Sequence, residues 1–355
     1  MPSPSGAITS PAPARPQASP SAGPSASPIP SLVPAPLTGL LVSRTVAARH
    51  VIAVMIDDQF AARPQSGFSA ASVVWQAPAE GGIPRYMLLF QDGVPGAVGP
   101  VRSARYYFIG WAAEWRAAYV HAGGSPQALR TLRAQGRGQL AYNVDQFSYG
   151  SANFWRISSR FAPHNLYTNG QRLRQMANGV GARAGDAPAA PAWTFGPEAA
   201  YEDRPTGGSI EAWYTANHVR YTYDRATNTY PRWVSPGVKQ VDASTGKRVA
   251  PKNVVIMVVR FGALNDAHPE KLRLEADFIG SGKAWVAANG RTIAARWVKP
   301  SILVPTRFVD AKGKPIALAP GQTFVQVMPV GAHIAIADGT PPVRQVPPPP
   351  GLRAQ

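Results

Sequence analysis

Arg102 and Arg105 stand three residues apart in "GPVRSARYYF", at the entrance to an apolar segment that reads as a helix. Cations are disfavoured near the positive end of a helix dipole, so something negative must lie close by. An external anion would serve, and so would Glu80 or Asp57 of the chain itself. Further on, "YVHAGGSPQAL" is a strand, a Gly-Gly-Ser-Pro turn and a helix. Gly123 and Gly124 let backbone approach a ligand closely, and free N–H groups at a helix start favour an anion. The same letters also spell a plain tight turn, with Ser125 as N-cap and Pro126 in the first helical position.

Other polar residues of this half fall at strand ends and loop starts. They are Asp57, Asp58, Arg63, Glu80, Arg85, Ser103, His121, Arg160, His164 and Asn165. In an α/β sheet such positions converge on one rim, where ligands bind. The expected site is therefore an anion-binding rim. Arg63, Arg85, Arg102, Arg105 and Arg160 would grip the ligand, and Ser103, Gly123, Gly124, Ser125, His164 and Asn165 would line it.

An enzymatic reading is the alternative. Asp57 or Glu80 would act as acid, base or Mg²⁺ ligand, with His121 assisting. No G-x-S-x-G elbow supports a serine hydrolase built on His121 with Ser125 or Ser103. A mixed O/N metal site of His121, His164 and a carboxylate lacks any H-E-x-x-H-like spacing, so no metal ligands are assigned. No cofactor is expected beyond Mg²⁺ in the enzymatic case. The absence of cysteine excludes iron–sulfur clusters, thiolate zinc sites and a thiol nucleophile.

The chain carries 36 basic against 19 acidic residues, a formal charge of +17, and all eight lysines lie at or beyond Lys239. An arginine-only first half suits planar contacts with carboxylate or phosphate, although a GC-rich genome writes arginine too. No lysine-rich run, zinc-finger spacing or RNP-like motif points to nucleic acid. An anionic envelope polymer, lipid-linked glycan or phospholipid headgroup explains the charge without a code-reading fold. Partner envelope proteins docking on the second half are a further alternative.

The elements that must position these residues follow from pattern. Residues 1–36 are Pro, Ser and Ala with one charge, a composition for a solvated tether. Residues 37–185 alternate strands such as "HVIAVMID" with helices and read as a layered α/β domain with a mixed sheet. Tyr107, Trp111 and Trp115 mark a helix from Ser103 to about Arg116 by their fourfold spacing. A linker spans 186–200. Residues 201–335 are mainly β, with "DASTGK", "GSGK" and "AANGR" as turns between alternating runs. Glu211, Asp242 and Asp277 are expected on its surface, and Trp213, Tyr221, Tyr223 and Trp233 in cross-strand packing. Residues 336–355 form a Pro-rich tail. No window reaches the length of apolar sequence that spans a membrane.

Long ordered motifs, among them "VMIDDQFAARPQSGFSAASVVWQAPAEGGIPRYMLLFQ", "VGPVRSARYYF", "FWRISSRFAPHNLYT" and "VDASTGKRVAPKNVVI", closely resemble the YerB-like lipoprotein family. This bacterial two-domain family has no known function, and the resemblance covers residues 37 to 330. It implies an extracytoplasmic protein with a lipidated cysteine after a signal peptide. The present sequence departs there, with neither, so its anchor is expected either to have been removed or never to have existed. A fainter likeness runs to the LytR-CpsA-Psr phosphotransferases through "ASVVWQ", "GPVRSAR" and "AAYVHAGGSPQAL". It implies a pyrophosphate held by Arg85, Arg102 and Arg105. The arginine those enzymes place before "SVVWQ" is missing.

Overall fold

In "IAVMID" only the last residue is charged, and the run forms β1 (Ile52–Asp57), buried along its whole length. Such a strand belongs in a sheet covered on both faces. The computed structural model that shows this describes residues 31–185, 193–235 and 237–341, with residues 1, 2 and 6. Most of the expected tether and tail, and residues 186–192 of the expected linker, fall outside the described residues. Leu32–Pro34, at the end of the stretch read as tether, is a short strand paired with Leu41–Ser43.

After β1 come β2 (Val73–Glu80) and β3 (Ile83–Phe90), a hairpin closed by Gly81 and Gly82, both at positive φ. Two successive positive φ values are what glycine supplies without strain. The expected helix from Ser103 to Arg116 is shorter than its sequence suggests. α1 spans Tyr106–Ala112, and one 3-10 turn, Ala113–Trp115, extends it. Residues 103–105 stay extended because Ala104 bridges to Gly124. Tyr107, Trp111 and Trp115 do share one buried face. β4 (Ala118–His121), α2 (Pro126–Gln135), β5 (Tyr142–Asp145), α3 (Gln146–Asn153) and α4 (Gly170–Gly179) complete the first half.

The second half is mainly β. It supplies β6 (Ser209–Tyr214), β7 (Asn217–Thr222), β8 (Arg232–Val234), β9 (Asn253–Val259) and β10 (Gly280–Ala288). β11 (Arg291–Lys299), β12 (Arg307–Val309), β13 (Thr323–Pro329) and β14 (Ile334–Ala337) follow. Asn289 and Gly290, both at positive φ, close the β10–β11 hairpin that "AANGR" announces. "GSGK" is not a turn: it opens β10. A Cβ on Gly282 would lie 2.5 Å from Trp297 Nε1, so this glycine serves close packing inside a strand.

One ten-stranded mixed sheet runs β12-β11-β10-β9-β13-β2-β3-β1-β4-β5. β13 of the second half lies parallel to β2 of the first, with Gln326 opposite Gln76, so the halves share a sheet. The described residues from Leu32 on form one compact unit. A second, antiparallel sheet, β8-β7-β6-β14, covers one face of the large sheet together with α4, and α1 covers the other. Alternation along β1 sorts the core accordingly: Ala53 and Met55 join the α1 layer, while Val54 and Ile56 join the layer of the second sheet. β1, β4 and β5 are mutually parallel, so their C-terminal ends share one rim. Among the described residues no helix is long and apolar enough to cross a membrane.

Candidate functional site

At that rim the chain enters its own crevice. Asp57 N–H donates to Pro100 O at 2.9 Å, and Arg102 N–H to Met55 O at 2.9 Å. On the other side Ala122 N–H donates to Arg102 O at 3.0 Å, and Ala104 N–H to Gly123 O at 2.8 Å. The segment 98–105 thus lies between the ends of β1 and β4, where ligands of open α/β sheets usually sit. This backbone placement delivers Arg102 and Arg105 to the rim.

Carboxylates of the chain meet them there. Glu80, beside the Gly81–Gly82 turn, accepts from Arg85 and from Arg105, and Arg273 Nε lies 3.9 Å away. Asp57 Oδ2 lies 3.0 Å from Arg102 Nε and 2.7 Å from His164 Nδ1. Arg273 also donates to Asp266 at 2.6 Å. Four guanidinium groups therefore face three carboxylates. Burial alone would raise the Glu80 pKa, but Arg85, Arg105, Arg102 and Arg273 together hold it below its ordinary 4.5. Arg105 is almost fully buried, and burial with the repulsion of Arg85 brings it down to about 10.

A carboxyl whose folded pKa lies below its unfolded value adds stability above the unfolded value. That stability is lost as pH falls through the folded value. Glu80→Gln is therefore expected to flatten the acid limb of the stability profile below pH 4.5. Urea midpoints measured across the acid range check this, and a limb as steep as in the parent protein would contradict it.

In the Gly-Gly-Ser turn the chain itself takes up several of the backbone donors. Gly123 N–H donates to Asp145 at 3.4 Å, Ser125 N–H to Ala104 O at 3.2 Å, and Ala128 N–H to Ser125 Oγ at 3.3 Å. Three of the N–H groups an anion would need thus already have acceptors within the chain. A Cβ on Gly124 would lie 3.2 Å from Ala104 and Leu129, which accounts for this glycine by packing. His121 is fully buried, with Gly123 O and Asn143 Oδ1 each 2.8 Å from a ring nitrogen. Among the described residues no hydrogen bond or ion pair joins any two of Asp57, Glu80 and His121: Asp57 meets Arg102 and His164, Glu80 meets Arg85 and Arg105, and His121 meets Gly123 and Asn143.

Three further candidates brace the fold. Arg160 donates to Ala62 O, Pro64 O and the Tyr167 hydroxyl at 2.7–2.8 Å. Arg63 donates to Asp58 at 3.0 Å and to Ser235 at 3.4 Å. Asn165 ties Ile157 O and Arg160 O to its own loop. Ser103 lends its carbonyl to Arg85 at 2.9 Å. The structure therefore gathers Asp57, Glu80, Arg85, Arg102, Ser103, Arg105 and His164, and leaves the others as supports. No group of three metal-ligating side chains occurs among the described residues.

Arg273 and Asp266 escaped the sequence reading because they come from the other half of the chain, with no local motif to mark them. Asp58, placed with Asp57 among the strand-end polar residues, turns inward. It is fully buried under Gln76, Asn217 and Arg63. Asp242, expected on the surface, is buried and accepts from Gly67 N–H at 3.2 Å and Ser69 N–H at 2.7 Å. The need to cap that loop of the first half overrides its charge. Tyr221 and Tyr223 are buried, whereas Trp213 and Trp233 are half-buried on the outer face of the second sheet.

Comparison with known proteins gives consistent matches. Residues 37–183 match the family described as "Protein of unknown function (DUF3048) N-terminal domain", and residues 210–325 match its C-terminal domain. The chain is 33% identical over 307 residues to the "Putative lipoprotein YerB" of Bacillus subtilis, covering 83% of this chain and 86% of that protein. The crystal structure of the Bacillus subtilis YerB protein matches with a TM-score of 0.74 at 29% identity, over 85% of this chain and 99% of that one.

Proposed function

The chain belongs to the two-domain DUF3048 family, and on that premise we propose an extracytoplasmic envelope protein that binds an anionic ligand at Arg102. The ligand class is a phosphate- or carboxylate-bearing glycan or lipid carrier. One observation carries this reading. Arg102 is held through Nε by Asp57, while its two terminal nitrogens have no hydrogen-bond partner among the described residues and its side chain is 23% exposed. Arg85 and Arg105 are consumed by Glu80, so they set the field while Arg102 makes the contact. The extracytoplasmic location is supported by the name of the Bacillus subtilis relative, a lipoprotein.

Binding is favoured over turnover by the same pairings. Each carboxylate that would act as a base is neutralised by arginine, which suits a fixed electrostatic platform better than a proton acceptor. Charge-assisted hydrogen bonds from one guanidinium contribute about 1.5–3 kcal/mol, so Arg102→Ala is expected to weaken binding by about ten- to a hundredfold. Titration calorimetry with a soluble phosphodiester-linked glycan and with inorganic pyrophosphate measures it. Binding that ignores both the substitution and added salt would sink the proposal.

A further inference from the structure

Of the twelve phenylalanines, nine are buried or packed against the core. The other three, Phe60, Phe147 and Phe161, are 82%, 74% and 91% exposed. Exposing three such rings is costly in water, and their places in the fold are related. Phe60 opens the 3-10 turn that follows β1, and Phe147 is the second residue of α3, directly after β5. Phe161 follows Arg160, which is hydrogen-bonded to Ala62 O and Pro64 O just beyond Phe60. His164, three residues on, holds Asp57. The Phe147 ring lies 3.4 Å from where a Cβ on Gly123 would stand, and Gly123 O accepts from Ala104 N–H. All three rings thus belong to the rim formed by the C-terminal ends of β1, β4 and β5, with Arg102 among them.

Two more features lie at this edge. A cleft of about 390 Å³ opens beside Phe60, walled by Pro64, Val234, Val238 and Val241. Lys239 lines it, exposed, and its ammonium has no hydrogen-bond or ion-pair partner among the described residues. Apolar tips set in cationic ground are the pattern of a surface that meets a bilayer interface. A rigid protein partner would have to offer three separate pockets at matching spacing. A fluid interface accepts each ring wherever it falls, while anionic headgroups meet the cations.

We propose that this rim docks on an anionic phospholipid surface, with Phe60, Phe147 and Phe161 entering the interface and Arg102 and Lys239 facing the headgroups. The inference goes beyond the glycan-binding reading and does not rest on it. Co-sedimentation with phosphatidylcholine vesicles, with and without phosphatidylglycerol, is the test. The full chain is expected to sediment with the mixed vesicles and much less with phosphatidylcholine alone. Phe60→Ser/Phe147→Ser/Phe161→Ser is expected to lower vesicle binding by at least about tenfold, each ring contributing through the apolar area it buries. Because the three rings are exposed, the thermal midpoint of that variant should match the parent, which guards against misfolding. Arg102→Ala should lower vesicle binding by only about fivefold, the contribution of one cation near an anionic surface. Failure of the soluble-glycan reading would therefore look different. A triple variant that sediments like the parent, or a parent that sediments with neither vesicle, overturns the proposal.

Discussion

Replacing Arg232 with methionine is expected to lower the unfolding free energy by about 3–5 kcal/mol, the cost of breaking a buried charged network from one side. Arg232 is fully buried between the two sheets. Its guanidinium donates to Tyr221 Oη at 2.8 Å and Tyr86 Oη at 3.0 Å, and also to Gln240 and Gln76. Gln76 in turn donates to Asp58, and Asn217 donates to Asp58 at 3.1 Å. The network is the polar junction between the first half and the second. Methionine fills much of the volume, but it leaves several buried acceptors and hydroxyls without partners.

The loss should also depend on pH. Burial pushes the Asp58 carboxyl up from 3.8, and Arg63 and Arg232 pull against that rise. Without Arg232 the folded value climbs further above the unfolded one. Such a carboxyl costs nothing below the unfolded value and costs more as pH rises through the window. Urea unfolding followed by tryptophan fluorescence should therefore show a smaller deficit in acid than at neutral pH. A deficit under about 1 kcal/mol at neutral pH would fall in the range of a surface contact and refute the assignment.

The second large effect is expected at Lys299. Its ammonium donates to Glu114 at 2.9 Å, Ile302 O at 3.0 Å and Val304 O at 2.9 Å, and both side chains of the pair are 0% exposed. Lys299→Met strands Glu114 in the core with Thr306, whose hydroxyl lies at 2.6 Å, as its remaining partner among the described residues. The expected cost is again about 3–5 kcal/mol. Glu114→Gln should cost less, because the amide oxygen keeps both contacts and the lysine retains its two carbonyls. Combining the two substitutions should recover part of the loss, so the double-mutant cycle is non-additive. Strict additivity would contradict a coupled pair. By contrast Arg260 and Asp277, 3.8 Å apart and 81% and 71% exposed, should be replaceable with little change.

Much of the fold was legible because its signals are local. "IAVMID" is apolar up to its last residue, Ser125-Pro126 is a cap, and Asn289-Gly290 is a hairpin turn, so each follows from neighbours in the chain. The errors also have physical causes. "GSGK" looks like a turn until Trp297 is known to lie over Gly282. Ser103–Arg105 looks helical until Gly124 is seen pairing with Ala104. Asp242 looks solvated until the loop it caps arrives from the first half of the chain.

The candidate site divides along the same line. Sequence alone determined the family, the class of fold and the statement that Arg102 and Arg105 must meet negative charge, since a helix start repels unaccompanied cations. It left open whether that charge is foreign or native. Tertiary structure decided this by bringing Glu80 and Asp57 to the two arginines, and Arg273 from the other half of the chain. Arg105 is thereby a brace, while both terminal nitrogens of Arg102 have no hydrogen-bond partner among the described residues. Charge neutralisation in a buried crevice depends on which groups converge in space, and residue type and spacing do not encode that convergence.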